Sequence, residues 1–382
     1  MTDDRLFFAA ALLRWFRENG RDLPWRKTRD PYAVWLSEVI LQQTQVRQGW
    51  DYWLRFMRRW PTVNDLAAAT EDEVLREWQG LGYYSRARNL HFAARQIVAM
   101  GGFPNTYEEI RRLKGVGDYT AAAIGSIAFD LPVAVVDGNV YRVLSRHFAI
   151  DTPINSTQGK REFATLAQSL LPEHEASAYN QALMDLGAMV CTPLSARCTD
   201  CPLAASCLAL AEGRVGLLPV KLKRLKVQER RMTYVYVRYE GQTALRRRGP
   251  GDIWQGLWEP LLIEDGGLKI EDGRWKIEDG GLKIEDGGLK IEDGGLKIED
   301  GGLKIENGGW TNLQSSIFNL QLIKQNVRHV LTHRVILCDF YLWEPQERPH
   351  LPEAYVWVDE ADVDRYALPR LVELLLESLP AR

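Results

Sequence analysis

The sequence predicts a mainly α-helical N-terminal part followed by a smaller α+β part. Over residues 1–218, apolar residues recur at the helical period in EVLREWQGLG, NLHFAARQIVAM and REFATLAQSLL. After residue 232 the chain becomes rich in β-forming residues, and four cysteines lie close together near the end of the helical part. We therefore expect a helical domain over 1–218, a basic linker over 219–232 and an α+β domain over 233–382.

Capping residues mark two helix starts in the N-terminal part. Asp30 precedes Pro31, which suits a cap followed by the first helical position. Thr106 and Glu109 have the spacing of a capping box before IRRL. The LPVAVV stretch at 131–136 suggests either a short extended segment or the beginning of a buried helix.

Short β-type segments dominate the C-terminal part. TYVYVRYEGQTALRRR predicts a hairpin around a Glu-Gly turn. RHVLTHRVILCDFYLWE and AYVWVDE also have the composition of strands, and LPRLVELLLESL predicts a closing helix. Strands combined with a helix indicate an α+β domain.

A seven-residue repeat of the type LKIEDGG interrupts this domain over residues 263–309. The period suggests a coiled coil, but each unit carries Gly-Gly, which costs about 1 kcal/mol per glycine in a helix. We predict a low-complexity, solvated insertion, and short stacked hairpins are the alternative.

Charge and hydropathy exclude a membrane protein but not a nucleic-acid binder. The net charge is −3, yet the repeat is strongly acidic and the rest of the chain is slightly positive. The apolar run at 6–13 is short and flanked by charged residues, so it resembles neither a signal peptide nor a membrane span. We expect a soluble cytoplasmic protein, associated with the nucleoid if the source is bacterial.

The cysteine cluster has the spacing of a metal centre. Cys191, Cys198, Cys201 and Cys207 follow the pattern C-x6-C-x2-C-x5-C, and Cys338 stands alone in a predicted strand. Four neighbouring thiolates can hold zinc or an iron–sulfur cluster. One continuous loop favours a cubane cluster, zinc remains the alternative, and disulfides are not expected in a cytosolic protein.

A glycine turn between two predicted helices adds to this pattern. In LKGVGDYTA, Gly115 and Gly117 flank Val116, and both glycines permit positive φ and close approach of another backbone. The turn can be a plain helix–helix connection. It can also offer backbone N–H groups to a DNA phosphate at the start of the second helix.

Together, the helical chain, the glycine hairpin and the cysteine spacing resemble the endonuclease III, or helix-hairpin-helix, superfamily of DNA glycosylases. The C-terminal part narrows the resemblance to adenine DNA glycosylases of the MutY type, which carry a MutT-like (Nudix-type) domain. The resemblance implies a [4Fe–4S] cluster on the four cysteines and a glycosylase fold. It also implies phosphate binding by Gly115, Val116 and Gly117.

Two carboxylates are the candidate catalytic pair. Glu38 is the only charged residue between Tyr32 and Leu41, and it is either exposed on one face or buried with a raised pKa. Asp137 ends an apolar run before a helix, where an N-cap role would keep it ionised.

The resemblance assigns roles to these carboxylates. Glu38 is then the general acid that protonates adenine, and Asp137 stabilises the developing sugar cation, beside the active-site Asn139. Tyr119 stands where bifunctional relatives carry a lysine, so no Schiff base can form there.

Further positions follow from the resemblance alone. Tyr83 would wedge into the duplex with Leu81 nearby, and Gln42 and Gln43 would probe the strands. Trp25, Arg26 and Gln181 would line the adenine pocket. Thr332 and His333 would recognise 8-oxoguanine. No Nudix box follows GLWEP at 256–260, so we expect no pyrophosphatase activity.

The resulting prediction is a monofunctional DNA glycosylase. It would flip out adenine opposite 8-oxoguanine or guanine and hydrolyse its glycosidic bond, leaving an abasic site. Its partner would be double-stranded DNA, with no membrane association and a monomeric state. Two alternatives remain: an endonuclease III-like glycosylase/lyase for oxidised pyrimidines, and a non-enzymatic iron–sulfur redox protein or zinc-stabilised DNA-binding module.

Overall fold

A computed structural model of the chain describes residues 2–222, 228–264, 268–271, 274–277, 281–285, 288–292 and 320–380. Contacts divide the chain into two units. One comprises Met1–Ala69 and Arg88–Arg224, and the other comprises Thr70–Ala87 and Leu225–Arg382. The contact boundary therefore differs from a simple cut after residue 218, because the segment Thr70–Ala87 is counted with the C-terminal part.

Helices account for most of the N-terminal part, in agreement with the predicted fold class. Short 3₁₀ turns connect several of them, including Pro24–Arg26. The helices are α1 (Thr2–Asn19), α2 (Pro31–Leu41), α3 (Val46–Arg59), α4 (Val63–Ala68), α5 (Glu71–Trp78), α6 (Ser85–Ala99), α7 (Tyr107–Arg112), α8 (Asp118–Phe129), α9 (Gly138–His147), α10 (Thr157–Leu170), α11 (Ala176–Met189) and α12 (Leu208–Ala211).

Both predicted helix caps, at Asp30 and at Thr106, are present. The Asp30 carboxylate accepts the backbone N–H of Tyr32 at 3.1 Å, which fixes the start of α2 at Pro31. Thr106 accepts the N–H of Glu109 and donates its hydroxyl to that side chain. The LPVAVV stretch is neither strand nor helix, and α9 begins only after Asp137.

The first unit has a large apolar core that α1, α9, α10 and α11 share. Phe8, Leu12, Phe163 and Leu186 are completely or almost completely buried there. Cys191 and Cys201 pack against its edge, so the cysteine loop rests on this core. A smaller cluster joins α2 to α8 and lies beneath the candidate active site.

The second unit contains mainly strands, as predicted, and ends in helix α13 (Arg370–Ser378). Its strands include β1 (Gln228–Tyr239), β2 (Gln242–Arg247), β3 (Trp258–Glu259), β4 (Leu261–Glu264, which enters the repeat), β9 (Leu320–Val330), β10 (Arg334–Trp343) and β11 (Tyr355–Asp359). β1 pairs in parallel with β10 and antiparallel with β4, while β2 pairs antiparallel with β11 and β3.

Two details of this unit follow from local sequence. Glu240 and Gly241 both have positive φ and connect β1 to β2, as the Glu-Gly turn predicts. β1 begins at Gln228, within the segment predicted as linker, because its first residues pair in register with β10 from Arg334 onward. Residues 223–227 of that segment lie outside the described residues.

The repeat adopts paired strands where the structure describes it. β5 (Leu268–Glu271) pairs antiparallel with β6 (Arg274–Ile277), and β7 (Gly281–Glu285) pairs antiparallel with β8 (Gly288–Glu292). This is the hairpin alternative, because LKIE alternates apolar and charged residues with period two and Asp-Gly suits a tight turn. Residues 293–319 lie outside the described residues, so the repeat as a solvated insertion stays a prediction there.

Among the helices that the structure describes, none is long and apolar enough to cross a membrane.

Candidate active site

Glu38 lies on a helix that is buried on every side. All residues of α2 from Tyr32 to Ile40 are buried, and Glu38 is only 7% exposed. Of the two possibilities that the sequence left open, the structure therefore favours the buried one. The net pKa of Glu38 is raised from 4.5 to about 7, because burial, helped by the charge of Asp137, outweighs the Tyr119 hydrogen bond and the charge of Arg26.

Tyr119 lies in the first turn of α8 and faces this carboxyl group. Its hydroxyl donates a hydrogen bond of 2.7 Å to Glu38 Oε2 and lies 3.9 Å from the sulfur of Met184. Burial raises the pKa of Tyr119 well above its ordinary value, and the charge of Glu38 adds to this effect. Tyr119 therefore keeps its proton at neutral pH and acts as a hydrogen-bond donor to Glu38.

Asp137 is the N-cap of α9, as its position in the sequence predicted. Its carboxylate accepts the Val140 N–H at 2.7 Å and the Asn139 side-chain amide at 2.7 Å. The pKa of Asp137 is nevertheless raised, because burial outweighs these two hydrogen bonds. The sequence alone suggested that the N-cap role would keep Asp137 ionised. In the folded protein, that role does not bring the pKa of Asp137 below its ordinary value.

Asn139 is itself held in place by a buried arginine. Arg142 donates to Asn139 Oδ1 at 2.8 Å and to the Gly187 carbonyl at 2.7 Å. A Cβ on Gly187 would lie 2.6 Å from the Asn139 Cβ, so only glycine lets α11 approach α9 this closely. These contacts fix the amide that orients the Asp137 carboxylate.

The two carboxylates open into one cavity of about 290 Å³. The predicted base-pocket residues Trp25, Arg26 and Gln181 all line it, and Gln181 donates to the Ser177 hydroxyl at 3.1 Å. Sequence reasoning missed several lining residues. Two of them, Met184 and Ala188, follow Gln181 at helical spacing on α11, and the others include Arg21, Leu23, Val34, Ser37, Leu41, Thr44, Gln45, Val46 and Ile127.

Arg26 does not enter the cavity as an isolated charge. Its Nη1 and Nη2 donate to the two carboxylate oxygens of Asp185 at 2.7 and 2.8 Å. Arg21 donates to the same carboxylate through its backbone N–H and its Nε. Asp185 is completely buried, and sequence reasoning gave no reason to select it.

The glycine hairpin connects α7 to α8, and its two glycines differ. Gly115 has φ +79°, and a Cβ there would lie 2.7 Å from the Cβ of Asn89. Gly117 has φ −98°, so it does not use the positive φ that a glycine permits, and it is the extended N-cap of α8. No atom lies within 4 Å of a Cβ built on Gly117, so this face is open, while Val116 is buried.

Gln42 and Gln43 end helix α2 beside the hairpin helix. The Gln42 amide donates to the Thr120 hydroxyl at 3.1 Å. Gln43 adopts a left-handed backbone conformation with φ 55°. The first glutamine is thus linked to α8, next to the residue that bonds Glu38.

In the second unit, the glycine turn at residues 80–84 meets the turn between β9 and β10. Gly80, Gly82 and Tyr83 all have positive φ, and Tyr83 is 46% exposed whereas Leu81 is buried. The Tyr83 hydroxyl forms a hydrogen bond with the Thr332 hydroxyl, and Thr332 and His333 are both exposed. The predicted wedge residue and the predicted lesion contact therefore touch each other.

The glutamate of GLWEP has a structural role in this unit. Glu259 is completely buried and accepts hydrogen bonds from Tyr234 at 2.8 Å and Arg246 at 3.0 Å, as well as from Arg248. A buried carboxylate with three donors is fully satisfied by the protein. It therefore anchors β3 within the sheet.

The four clustered cysteines line one cavity beside Arg146. Burial is the main reason why the pKa of the Cys201 thiol is raised to about 11, and the three neighbouring cysteines contribute to the same rise. Arg146 donates to the Cys191 sulfur at 3.3 Å. Within the described ranges, no three His, Cys, Asp or Glu side chains lie close enough together to hold one metal ion.

Two protein-family models match the chain. Residues 36–172 match the HhH-GPD superfamily of base excision DNA repair proteins, and residues 233–378 match a NUDIX domain. A solved structure described as a thermostable thymine-DNA glycosylase superposes with a TM-score of 0.52 and 28% identity, covering 55% of this chain and 98% of its own. The helical fold and the C-terminal Nudix-like region expected from the sequence are confirmed.

Curated relatives narrow the family. The adenine DNA glycosylase of Rattus norvegicus is 47% identical over 226 residues, but the match covers only 44% of its length and 56% of this chain. That of Buchnera aphidicola (subsp. Schizaphis graminum) is 33% identical over 254 residues, covering 73% of its length and 66% of this chain. The chain therefore belongs to the adenine DNA glycosylase family.

Proposed function

We propose that this protein removes adenine paired with 8-oxoguanine or guanine in double-stranded DNA and leaves an abasic site. The observation that carries the proposal is the hydrogen bond between Tyr119 and the buried Glu38, beside Asp137 in one cavity. It joins a carboxyl group whose pKa is about 7 to a side chain without an amine. The family relationship supports adenine as the base.

The chemistry divides between the two carboxyl groups. Because an enzyme cannot reach a stacked base, adenine would first rotate out of the duplex into the cavity. Protonated Glu38 then donates its proton to the base as the bond between the sugar C1′ and adenine N9 breaks, and the bonding electrons leave with adenine. Asp137, ionised for this step, stabilises the positive charge on the sugar, and water adds to C1′ with loss of a proton.

Hydrolysis without strand cleavage is the second part of the proposal. A lyase needs an amine that attacks C1′ and forms a Schiff base. The hairpin position carries Tyr119, whose hydroxyl is engaged with Glu38. Lys114 precedes the turn, and its backbone N–H bonds the side chain of Gln96.

DNA contacts are proposed on both units. The open backbone at Gly117 and the N-terminus of α8 suit a phosphate. Tyr83 with Leu81, and Thr332 with His333, are proposed to contact the duplex and the lesion, with Gln42 and Gln43 near the base. We propose a monomeric, cytoplasmic enzyme with the domains predicted from the sequence.

Cys191, Cys198, Cys201 and Cys207 would hold the [4Fe–4S] cluster. Four cysteine sulfurs around one cavity, with the Arg146 guanidinium alongside, suit an iron–sulfur centre. When bound, the cluster would cross-link the loop from 191 to 207 and so support the end of α11.

A duplex with one adenine opposite 8-oxoguanine tests the proposal, with abasic product measured before and after alkali. We expect strand breaks only after alkali, a similar result with adenine opposite guanine, and none with an oxidised pyrimidine opposite adenine. Breaks without alkali would instead identify a lyase. Absence of base release from every duplex would identify a non-enzymatic DNA-binding or redox protein.

A further inference from the structure

Asp185 has an unusual position for a charged residue. It lies on α11 with no exposure to solvent, yet it is bound by two arginines from the segment between α1 and α2. Burial alone would raise the pKa of Asp185, but hydrogen bonds from Arg26 and Arg21 outweigh it and the net pKa is lowered. The carboxylate therefore stays ionised.

The arrangement around Arg26 is rigid. Its guanidinium group makes a bidentate pair with Asp185, and Nη1 also donates to the Arg21 carbonyl at 3.1 Å. The group also lies 5.5 Å from the centre of the Phe16 ring. Planar two-point contacts of this kind fix both the position and the orientation of an arginine.

Arg26 and Arg21 both line the cavity that contains Glu38, whereas Asp185 does not. The charged and titratable groups that act on Glu38 are Tyr119 from α8, Asp137 at the start of α9 and Arg26 from the 3₁₀ turn. Arg26 is the only cation among these, and its charge favours the ionised form of Glu38. An ionised Glu38 cannot act as the general acid.

We infer that Asp185 is a positioning residue for the proposed reaction: it holds Arg26 at the cavity wall and offsets its charge, so that Glu38 keeps its proton. This inference rests on the proposed function. Without Asp185, the guanidinium group would keep its full charge and gain freedom to approach Glu38. The acid would then lose its proton at a lower pH.

Asp185→Asn tests this inference through two measurements. We expect the alkaline limb of the single-turnover rate profile to move down by about half a pH unit or more. The carbon-13 shift of the Glu38 carboxyl, assigned with Glu38→Gln, should titrate at a correspondingly lower pH. Because this second measurement needs no catalysis, it separates failure of the inference from failure of the proposed function.

Two further variants keep the test decisive even if the unpaired, half-buried Arg21 and Arg26 prevent folding of Asp185→Asn. Arg26→Met should move the Glu38 titration to higher pH, and adding Asp185→Asn to it should produce no further shift. A downward shift in Arg26→Met, or an Asp185→Asn titration equal to that of the unmodified protein, would overturn the inference. An additional downward shift in the double variant would do the same.

Glu175→Gln is the matched control. Glu175 precedes the same helix α11 and pairs with Arg17 at 3.3 Å, but both side chains are exposed. Removing this carboxylate changes the net charge as Asp185→Asn does. Its titration and rate profile should match those of the unmodified protein.

Discussion

The hydroxyl of Tyr119 lies 2.7 Å from a carboxylate oxygen of Glu38, and both residues line one cavity. The hydrogen bond joins the start of α8, beside the glycine hairpin, to the middle of α2. It couples the hairpin helix to the acid of the proposed reaction.

Ionisation of Glu38 should cost stability. With a folded pKa of about 7 and an ordinary value of 4.5, the native state binds the extra proton between these values, so stability declines as pH rises from about 4.5 to 7. The loss approaches about 3 kcal/mol above pH 7. Glu38→Gln avoids this cost, so its free energy of unfolding should exceed that of the unmodified protein at pH 8 and not at pH 4.

Denaturant unfolding at both pH values measures this difference, with base excision assayed in parallel. Glu38→Gln should lose at least about 100-fold in excision rate because it lacks the acidic proton. Equal stability at pH 8, or full excision activity in the variant, would contradict the assignment of Glu38 as a buried acid.

Tyr119→Phe should change the pH dependence of excision. The tyrosine hydroxyl stabilises the ionised form of Glu38, so its removal raises the pKa of Glu38 and moves the alkaline limb to higher pH. We also expect the plateau rate to fall about tenfold, because the carboxyl group loses an orienting contact. Single-turnover rates between pH 5 and 9 measure both effects, and a limb that moves to lower pH would refute the assignment.

The two hairpin glycines should respond differently to alanine. Gly115→Ala places a Cβ against Asn89 at positive φ, so it should lower stability by about 1–2 kcal/mol. Gly117→Ala meets no atom and has an ordinary φ, so stability should change little while DNA affinity falls, since the methyl group would stand where a phosphate approaches. Thermal unfolding and equilibrium DNA binding distinguish the two, and unchanged binding in Gly117→Ala would exclude this phosphate site.

Metal content should depend on the clustered cysteines alone. Cys201→Ser should lose iron and sulfide and unfold at lower temperature, because the loop would lose its cross-link. Cys338→Ala is the control, since Cys338 is buried in β10 of the other unit. Analysis for iron, sulfide and zinc in both variants decides the question, and zinc in the unmodified protein would replace the cluster assignment.

Local signals predicted much of the fold and some of the site. Helix periodicity, the Asp30 cap and the Glu-Gly turn act within a few residues, so they are readable without tertiary structure. Glu38 was identifiable as a candidate because it is the only charge in an apolar stretch. The resemblance then connected it with Asp137 and Tyr119.

Other features depend on contacts between distant residues. Asp185 is an ordinary polar residue of a helix until Arg21 and Arg26 are placed against it, more than 150 positions earlier in the chain. The raised pKa of Asp137 reflects tertiary burial, which its N-cap position does not reveal. Hairpins in the repeat were only the alternative prediction, because the seven-residue period concealed a two-residue alternation of apolar and charged residues.

The grouping of Thr70–Ala87 with the C-terminal unit has a consequence for biosynthesis. This segment is synthesised well before its contact partners: Glu71 bonds Arg247, Tyr83 bonds Thr332 and Gln79 bonds Glu373. During elongation these side chains have no native partners from the C-terminal half. The native contacts of this segment are therefore completed only after Thr332 and Glu373 have been synthesised.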